Sequence, residues 1–291
     1  MTEKHGAAAG PPPPAPQQLR EQYEIERELA NRLRRASKDE RRVLYGAVYD
    51  ELFRRVPHHS QLRRRADASS RVELVEHQFE LLRRFLTPET VFLEIGAGDC
   101  ALSLRVAEQA ACVHAIDVSN EIAAQQETPA NFGLIISDGS TVPVPAASVT
   151  LAYSNQLMEH LHPDDALDQL RGIFAALAPG GRYVCITPNR LSGPHDISKH
   201  FDRVATGFHL VEYTAGELSR LFRHVGLAAG TAYLNIKGKY LPCPLWLLRA
   251  FESILSALPF GLRRRIAGLS VVGGILGLVL VGRKKSPKSR V

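Results

Sequence analysis

The sequence predicts an α/β protein with a doubly wound, mostly parallel seven-stranded sheet and an N-terminal helical extension. Short apolar runs alternate with amphipathic segments from about residue 91 onward, a pattern typical of parallel strands covered by helices on both faces. A glycine-rich turn follows the first run, at the end of the strand where such sheets bind ligands. The length of 291 residues is sufficient for one large domain with appendages.

The composition predicts a division of the chain into four parts. An apolar fraction of 45% with 23% charged residues is ordinary for a globular enzyme and argues against both disorder and a polytopic membrane protein. The first segment is rich in proline and has nothing to bury, whereas the last is short and basic. The predicted parts are a tail at 1–18, a helical extension at 19–68, the main domain at 69–285 and a basic tail at 286–291.

The elements of these parts follow from apolar periodicity and capping residues. In the extension, Ser37 and Glu40 match a capping box that opens a helix with an apolar face of Val43, Leu44, Ala47, Val48, Leu52 and Phe53. Strands are predicted at about 91–95, 112–116, 133–136, 149–153, 183–187, 231–236 and 278–281. The helices between them are predicted at about 101–109, 119–126, 163–177, 214–224 and 245–258.

Charge and cysteine usage limit the partners and the compartment. The formal net charge of +6 comes largely from arginine clusters such as 63–65 and 263–265, and such runs are most often solvated helix faces. No aromatic residues interleave with them, so nucleic acid is an unlikely partner. Four scattered cysteines indicate a reducing compartment, and the N-terminus lacks the apolar core of a signal peptide, so a cytoplasmic location is expected.

The segment from Val91 to Leu102 indicates a nucleoside site. A buried strand enters the turn Gly96-Ala97-Gly98, whose glycines allow backbone amides to approach a ligand closely. About twenty residues later a second strand ends in Asp117, whose carboxylate can accept both hydroxyls of an adenosine ribose. These residues also fit a dinucleotide fingerprint, so an NAD-dependent oxidoreductase is an alternative at this point.

Later motifs favour a different cofactor. The strands at 133–136, 149–153 and 183–187 lead into Ser137-Asp138-Gly139, Ser154-Asn155 and Thr187-Pro188-Asn189, and Leu177-Ala178-Pro179-Gly180-Gly181 precedes the last of these strands. From about Leu74 to Val225 the chain resembles the class I S-adenosylmethionine-dependent methyltransferases, in particular the small-molecule enzymes of ubiquinone and menaquinone synthesis. The resemblance implies methyl transfer from S-adenosylmethionine to a small-molecule or lipid-linked acceptor.

The resemblance also implies a role for each matching residue. The cofactor loop, nearest the methionine portion, would consist of Glu94, Gly96, Ala97 and Gly98. Asp117 would hold the ribose hydroxyls and Val118 would line the adenine pocket. Asp138, with Gly139 beside it, would accept from the adenine amino group, and Asn155 would approach the methionine end. Many relatives have a third glycine where this chain has Cys100, which implies a fuller turn.

Transfer of a sulfonium methyl mainly requires alignment, but a hydroxyl acceptor would benefit from a general base. His160 and His195 are the predicted catalytic candidates, and the long segment from Leu191 to His200 is the preferred acceptor loop because it follows the fifth strand. The histidines and aspartates between 195 and 202 match no established ligand spacing, so no metal site is predicted.

Two features of the C-terminal part leave an alternative open. Residues 266–282 are apolar between basic flanks, and we predict that they contain a closing strand; membrane contact is the alternative. With membrane contact, residues 240–248 and the arginines 263–265 would lie at a lipid interface, which would suit a lipid-linked acceptor. Without it, residues 240–248 would form a helix packed on the sheet edge. A non-catalytic, membrane-associated binding protein with the same fold is a further alternative.

Overall fold

A computed structural model describes residues 15–59, 61–62, 68–118 and 128–286. The predicted helix at 119–126, the arginine cluster at 63–65 and nearly all of both tails lie outside the described residues. The helices are α1 (Pro16–Arg35), α2 (Lys38–Arg55), α3 (Ala68–Leu82), α4 (Ala101–Ala107), α5 (Pro163–Ala176), α6 (Ala215–His224), α7 (Leu245–Ser256), α8 (Phe260–Ala267) and α9 (Ser270–Leu276). The strands are β1 (Val91–Ile95), β2 (Cys112–Asp117), β3 (Phe132–Ile136), β4 (Val149–Asn155), β5 (Leu177–Thr187), β6 (Leu227–Ile236), β7 (Lys239–Pro244) and β8 (Leu278–Lys284).

These strands form one sheet in the order β3-β2-β1-β4-β5-β8-β6-β7. The first five strands in this order, from β3 to β5, are parallel to one another, whereas β8 runs antiparallel to both β5 and β6. The α/β class and the mostly parallel sheet are therefore confirmed. Because β1 to β4 are parallel, their carboxyl ends meet at one edge of the sheet, which is where the predicted cofactor residues lie.

The predicted number of seven strands is wrong, since the described sheet has eight. The additional strand, β7, pairs antiparallel with β6 through the two-residue turn Lys237-Gly238, in which both residues have positive φ angles of 50° and 78°. Pro242 and Pro244 argue against a strand in the sequence, because proline has no backbone N–H to donate to a neighbour within a central strand. At the sheet edge, where β7 lies, prolines are tolerated.

Helices cover both faces of the sheet, as the alternation of neighbouring side chains requires. Phe92 packs into a cluster with side chains of α3 and α4, whereas Leu93 belongs to a cluster with α1, α2, α5 and α6. The central strands are buried on both faces, which explains why their sequences are continuously apolar. The sheet therefore forms the rigid base of the site.

The N-terminal helices belong to this core. Arg41 in α2 makes a bidentate ion pair with Asp165 in α5, with distances of 2.5 and 2.9 Å, and the Tyr45 hydroxyl donates to the same carboxylate. The predicted apolar face of α2 is partly wrong, because Val43 and Ala47 are exposed. The buried face carries Arg41, Tyr45, Val48 and Leu52. An arginine can be buried there because its charge is paired with that of Asp165.

The C-terminal apolar segment contains α9 and β8, and β8 is the closing strand that was predicted. Residues 240–244 form β7 and residues 245–256 form α7 beside the sheet edge. Among the described helices, none combines the length and the apolar character that a transmembrane helix needs.

Candidate cofactor and acceptor site

The loop after β1 has the backbone shape that its glycines predict. Gly96 and Gly98 have φ angles of 74° and 55°, a region that L side chains rarely adopt. A Cβ atom at Gly96 would also approach the Leu157 side chain to 3.2 Å. Cys100, at the position where many relatives have glycine, adopts the same left-handed conformation with a φ of 57° before α4 begins.

Asp117 joins the end of β2 to this loop. Its Oδ2 atom accepts a hydrogen bond of 2.7 Å from the Gly98 amide, and its Oδ1 atom accepts one of 2.8 Å from the Val118 amide. These two hydrogen bonds fix the carboxylate at the end of β2. A carboxylate is a group that can accept hydrogen bonds from a pair of neighbouring hydroxyls.

Asp138 is held in a similar way at the end of β3. Its Oδ1 atom accepts from the Ser140 amide, the Ser140 hydroxyl and the Thr141 amide at 2.8 to 3.0 Å. Burial opposes ionisation of this carboxyl, but these hydrogen bonds outweigh burial and lower its pKa. The Oδ2 atom lies 3.6 Å from Nε of Arg42 in α2.

Val118 and Gly139 lie against each other between these two carboxylates. A Cβ atom at Gly139, whose φ is 83°, would come within 3.3 Å of both Val118 and Tyr45. Asn155 ends β4 beside Ile186 of β5 and is half-buried. The described contacts therefore connect Gly98 with Asp117 and Val118 with Gly139, while Asn155 shares the sheet edge with them.

Glu94 has a different environment from the two aspartates. Its side chain is buried, and its Oε2 atom accepts a 2.6 Å hydrogen bond from Ser103 in α4. Burial raises its pKa to about 8, and the nearby carboxylates Asp99 and Asp117 add to this effect. The residue thus ties β1 to α4 and supports the loop from inside the protein.

A cavity of about 620 Å³ lies between the N-terminal helices and the segment after β5. Segment 197–209 is fastened to α1, since Tyr23 donates to Asp202 and Arg34 donates to the carbonyls of Thr206 and Gly207. The lining includes Tyr49 and Leu52 of α2, Gln156 after β4, and the histidines 58, 59, 160, 195, 200 and 209. Both predicted catalytic histidines, His160 and His195, therefore line the same cavity.

The two histidines differ in their suitability as a base. The imidazole of His160 is half-buried, and burial lowers its pKa to about 3, so it binds a proton weakly near neutral pH. His195 has a side chain that is one-third exposed. Its Nδ1 atom lies 3.4 Å from Oε2 of Glu212, and its Nε2 atom lies 3.1 Å from the Ser192 hydroxyl.

Glu212 also holds His209, whose Nδ1 atom lies 2.8 Å from its Oε1 atom. Burial opposes ionisation of Glu212, but its hydrogen bonds to His195 and His209 outweigh burial and lower its pKa to about 2. Burial raises the pKa of Glu159, beside His160, to about 7. Glu212 thus holds two of the histidines that line the cavity.

Sequence reasoning missed several residues of this region. Tyr45, Arg42 and Tyr49 reach the site from α2, and Glu159 and Glu212 anchor its polar groups. For Arg42, Tyr45 and Tyr49, the sequence offered only a predicted helix with both polar and apolar residues, located before the main domain. Only the folded chain brings them to the carboxyl edge of the sheet.

The comparisons with known proteins agree with this geometry. The model of the methyltransferase domain family matches residues 92–181, from β1 into β5. The YcgJ protein from Bacillus subtilis is similar in structure, with a TM-score of 0.50 and 16% identity, covering 73% of this chain and 99% of that chain. No curated protein matches the chain at a significant level.

Two further solved structures are similar. One is a chain from the complex between the Haloferax volcanii Trm112 methyltransferase activator and a putative methyltransferase, with a TM-score of 0.51 and 18% identity over 76% of this chain and 95% of that chain. The other is an S-adenosylmethionine-dependent methyltransferase from Mesorhizobium loti, with a TM-score of 0.49 and 15% identity over 72% of this chain and 98% of that chain.

The matched segment contains the glycine loop and both aspartates at the carboxyl edge of the sheet. The likeness to ubiquinone-type enzymes in particular stays a prediction. The match of residues 92–181 to the methyltransferase domain family and the architecture of the sheet together support a class I S-adenosylmethionine-dependent methyltransferase with S-adenosylmethionine as its methyl donor.

Proposed function

We propose that this enzyme methylates a small polar molecule bound in the 620 Å³ cavity, with the methyl donor held by the loop after β1. The observation that carries the proposal is the Asp117 carboxylate, fixed by the amides of Gly98 and Val118. Ribose hydroxyls would bind to this carboxylate. Gly96, Ala97 and Asn155 would surround the methionine end, and Glu94 would support the loop from behind.

The adenine end would lie beside Val118, Gly139 and Asp138. The Oδ2 atom of Asp138, which lies 3.6 Å from Nε of Arg42, would accept from the exocyclic amino group, because Oδ1 already holds the loop. Tyr45 packs against the same glycine, so α2 would close the pocket from the solvent side. This arrangement would make the N-terminal helices part of the cofactor site.

When bound, S-adenosylmethionine supplies a methyl group already activated by the sulfonium centre. The chain's residues must therefore mainly align the acceptor and exclude water. Gln156 and the cavity histidines would position the acceptor, and α1 and α2 would limit access of water. Ordered walls favour in-line geometry because they restrict the acceptor to few orientations.

His195 is the proposed base if the acceptor is a hydroxyl. Glu212 accepts from the His195 backbone amide at 2.7 Å and lies beside its Nδ1 atom. Nε2, which lies 3.1 Å from the Ser192 hydroxyl, would be the nitrogen that removes a proton. A carboxylate in this position orients an imidazole and stabilises its charged form. His160 is the poorer base because of its lowered pKa.

A lipid-linked acceptor is the second candidate, favoured by the surface of α7 to α9. Trp246 and Ile254 of α7, together with Leu269 just before α9, are 60 to 70% exposed, and α8 carries Arg263 to Arg265. Arg264 donates to the carbonyl of Lys199, a cavity-lining residue, so this basic helix adjoins the cavity wall. Flotation with anionic vesicles, comparing wild type with Trp246→Ser, tests whether this surface binds lipid.

Calorimetric titration with S-adenosylhomocysteine tests the cofactor site. Wild type is expected to bind with micromolar affinity, and Asp117→Ala is expected to weaken binding by at least about tenfold, because a charged hydrogen-bond acceptor contributes about 1.5–3 kcal/mol. Asp50→Ala, an exposed change on α2, is the matched control and should bind as wild type does.

Two results would contradict the proposal. Equal affinity in wild type and Asp117→Ala would remove this carboxylate from the site. Binding of NAD in place of S-adenosylhomocysteine would return the loop to the dinucleotide alternative. Circular dichroism of each variant checks that the fold is retained.

A further inference from the structure

Glu159, His160 and His209 form a cluster outside the cofactor loop. The first two lie in a short 3₁₀ helix after β4, and His209 comes from the segment after β5. One ligand atom from each residue lies within 4.8 Å of the other two, and the two imidazole rings meet edge to face with centroids 4.9 Å apart. The three side chains thus converge on one point from two separate parts of the chain.

Both imidazoles are oriented as metal ligands usually are. The Nδ1 atom of His160 lies 3.0 Å from the carbonyl oxygen of Phe208, and the Nδ1 atom of His209 lies 2.8 Å from Glu212. A histidine that binds a metal generally donates its other ring N–H to a carbonyl or carboxylate. With Nδ1 engaged in each ring, Nε2 is the nitrogen available to an ion.

The third side chain has a buried oxygen without a protein partner. Glu159 is 0% exposed, and its Oε2 atom accepts a 2.9 Å hydrogen bond from Thr187. Its Oε1 atom is buried and has no hydrogen-bond partner within the described part of the chain. Such an atom is expensive to bury, and a cation beside it would satisfy it.

We propose that Glu159, His160 and His209 bind a zinc ion. Two imidazole nitrogens and one carboxylate are a ligand set of catalytic zinc sites, which keep a further position open. His160 and His209 also line the 620 Å³ cavity, so that open position would be accessible to a small molecule there. If the proposed function holds, an acceptor hydroxyl in this position would ionise more readily.

The experiment is calorimetric titration of the chelator-treated full chain with Zn²⁺ alone. We expect one zinc ion per chain, and binding at least about a hundredfold weaker in Glu159→Gln and His209→Ala. Glu212→Gln, which removes an orienting carboxylate, should weaken binding by about 10–100-fold. His200→Ala, which changes a histidine lining the same cavity outside the cluster, should bind zinc as wild type does.

The outcomes separate this proposal from the cofactor site. Asp117→Ala should lose affinity for S-adenosylhomocysteine and keep zinc, whereas Glu159→Gln should lose zinc and keep S-adenosylhomocysteine. No stoichiometric zinc in wild type, or unchanged affinity in Glu159→Gln and His209→Ala, would overturn the site. Displacement of zinc by millimolar Mg²⁺ would overturn the assignment of the metal, because Mg²⁺ prefers oxygen ligands.

Discussion

Replacing Glu94 with glutamine tests how one buried carboxyl couples folding to pH. Burial is the main reason that its pKa rises from 4.5 to about 8, and the hydrogen bond from Ser103 offsets only part of this shift. Between these two pKa values the folded protein keeps a proton that the unfolded chain releases. The stabilising contribution is therefore fully present below about pH 4.5 and is lost as the pH rises through about 8.

The size of the effect follows from the shift. At about 1.4 kcal/mol per pKa unit, a rise from 4.5 to about 8 corresponds to about 5 kcal/mol of free energy of unfolding. Linkage places about 3–4 kcal/mol of this change between about pH 5 and about pH 8. Glutamine keeps an oxygen that accepts from Ser103 and does not titrate in this range. As the pH rises over this interval, the free energy of unfolding of Glu94→Gln should therefore increase by about 3–4 kcal/mol relative to wild type.

Urea denaturation followed by circular dichroism at several pH values measures this difference. Glu89→Gln is the control, because Glu89 is exposed just before β1 and should follow the pH dependence of wild type. If the unfolding free energies of wild type and Glu94→Gln stay parallel from about pH 5 to about pH 8, the reasoning from burial is refuted.

Three other substitutions test the packing and the adenine pocket. Asp165→Ala leaves the buried Arg41 guanidinium without its partner and should lower the free energy of unfolding by about 3–5 kcal/mol in urea titrations. Phe222→Ala removes a fully buried ring 5.3 Å from that of Tyr183 and should destabilise the fold by about 3–5 kcal/mol, read from the same titrations. Asp138→Ala should weaken S-adenosylhomocysteine binding by at least about tenfold in calorimetry, because an acceptor for the amino group is lost.

Each of these variants has an exposed counterpart of the same type. Asp164→Ala, next to Asp165 but 74% exposed, should change stability by less than about 1 kcal/mol, as should Val204→Ala, which is 62% exposed. Asp39→Ala lies on α2 with a side chain that is 92% exposed and should bind S-adenosylhomocysteine normally. Equal effects in a buried variant and its counterpart would contradict the role given to the buried side chain.

The sequence was most informative where local chemistry leaves few choices. Glycine at 96 and 98 predicted a tight turn after β1, and the backbone there has positive φ angles. Asp117 and Asp138 were placed at strand ends because parallel strands bring their carboxyl ends to one edge. Apolar periodicity located most described strands within a few residues, although β5 and β6 begin earlier than predicted.

Tertiary structure decided what depends on contacts between distant parts of the chain. β7 pairs with β6 on one side only and therefore lies at the edge of the sheet. Its prolines are acceptable for this reason, because an edge strand does not need every backbone N–H as a donor. Arg41 is buried because Asp165, far along the chain, supplies its partner. Glu159, His160 and His209 converge only when the segment after β5 folds against the end of β4. Residue type and spacing thus determined the fold class and the cofactor loop. Packing decided the rest, because the partners and the burial of each titratable group set its charge state and its neighbours.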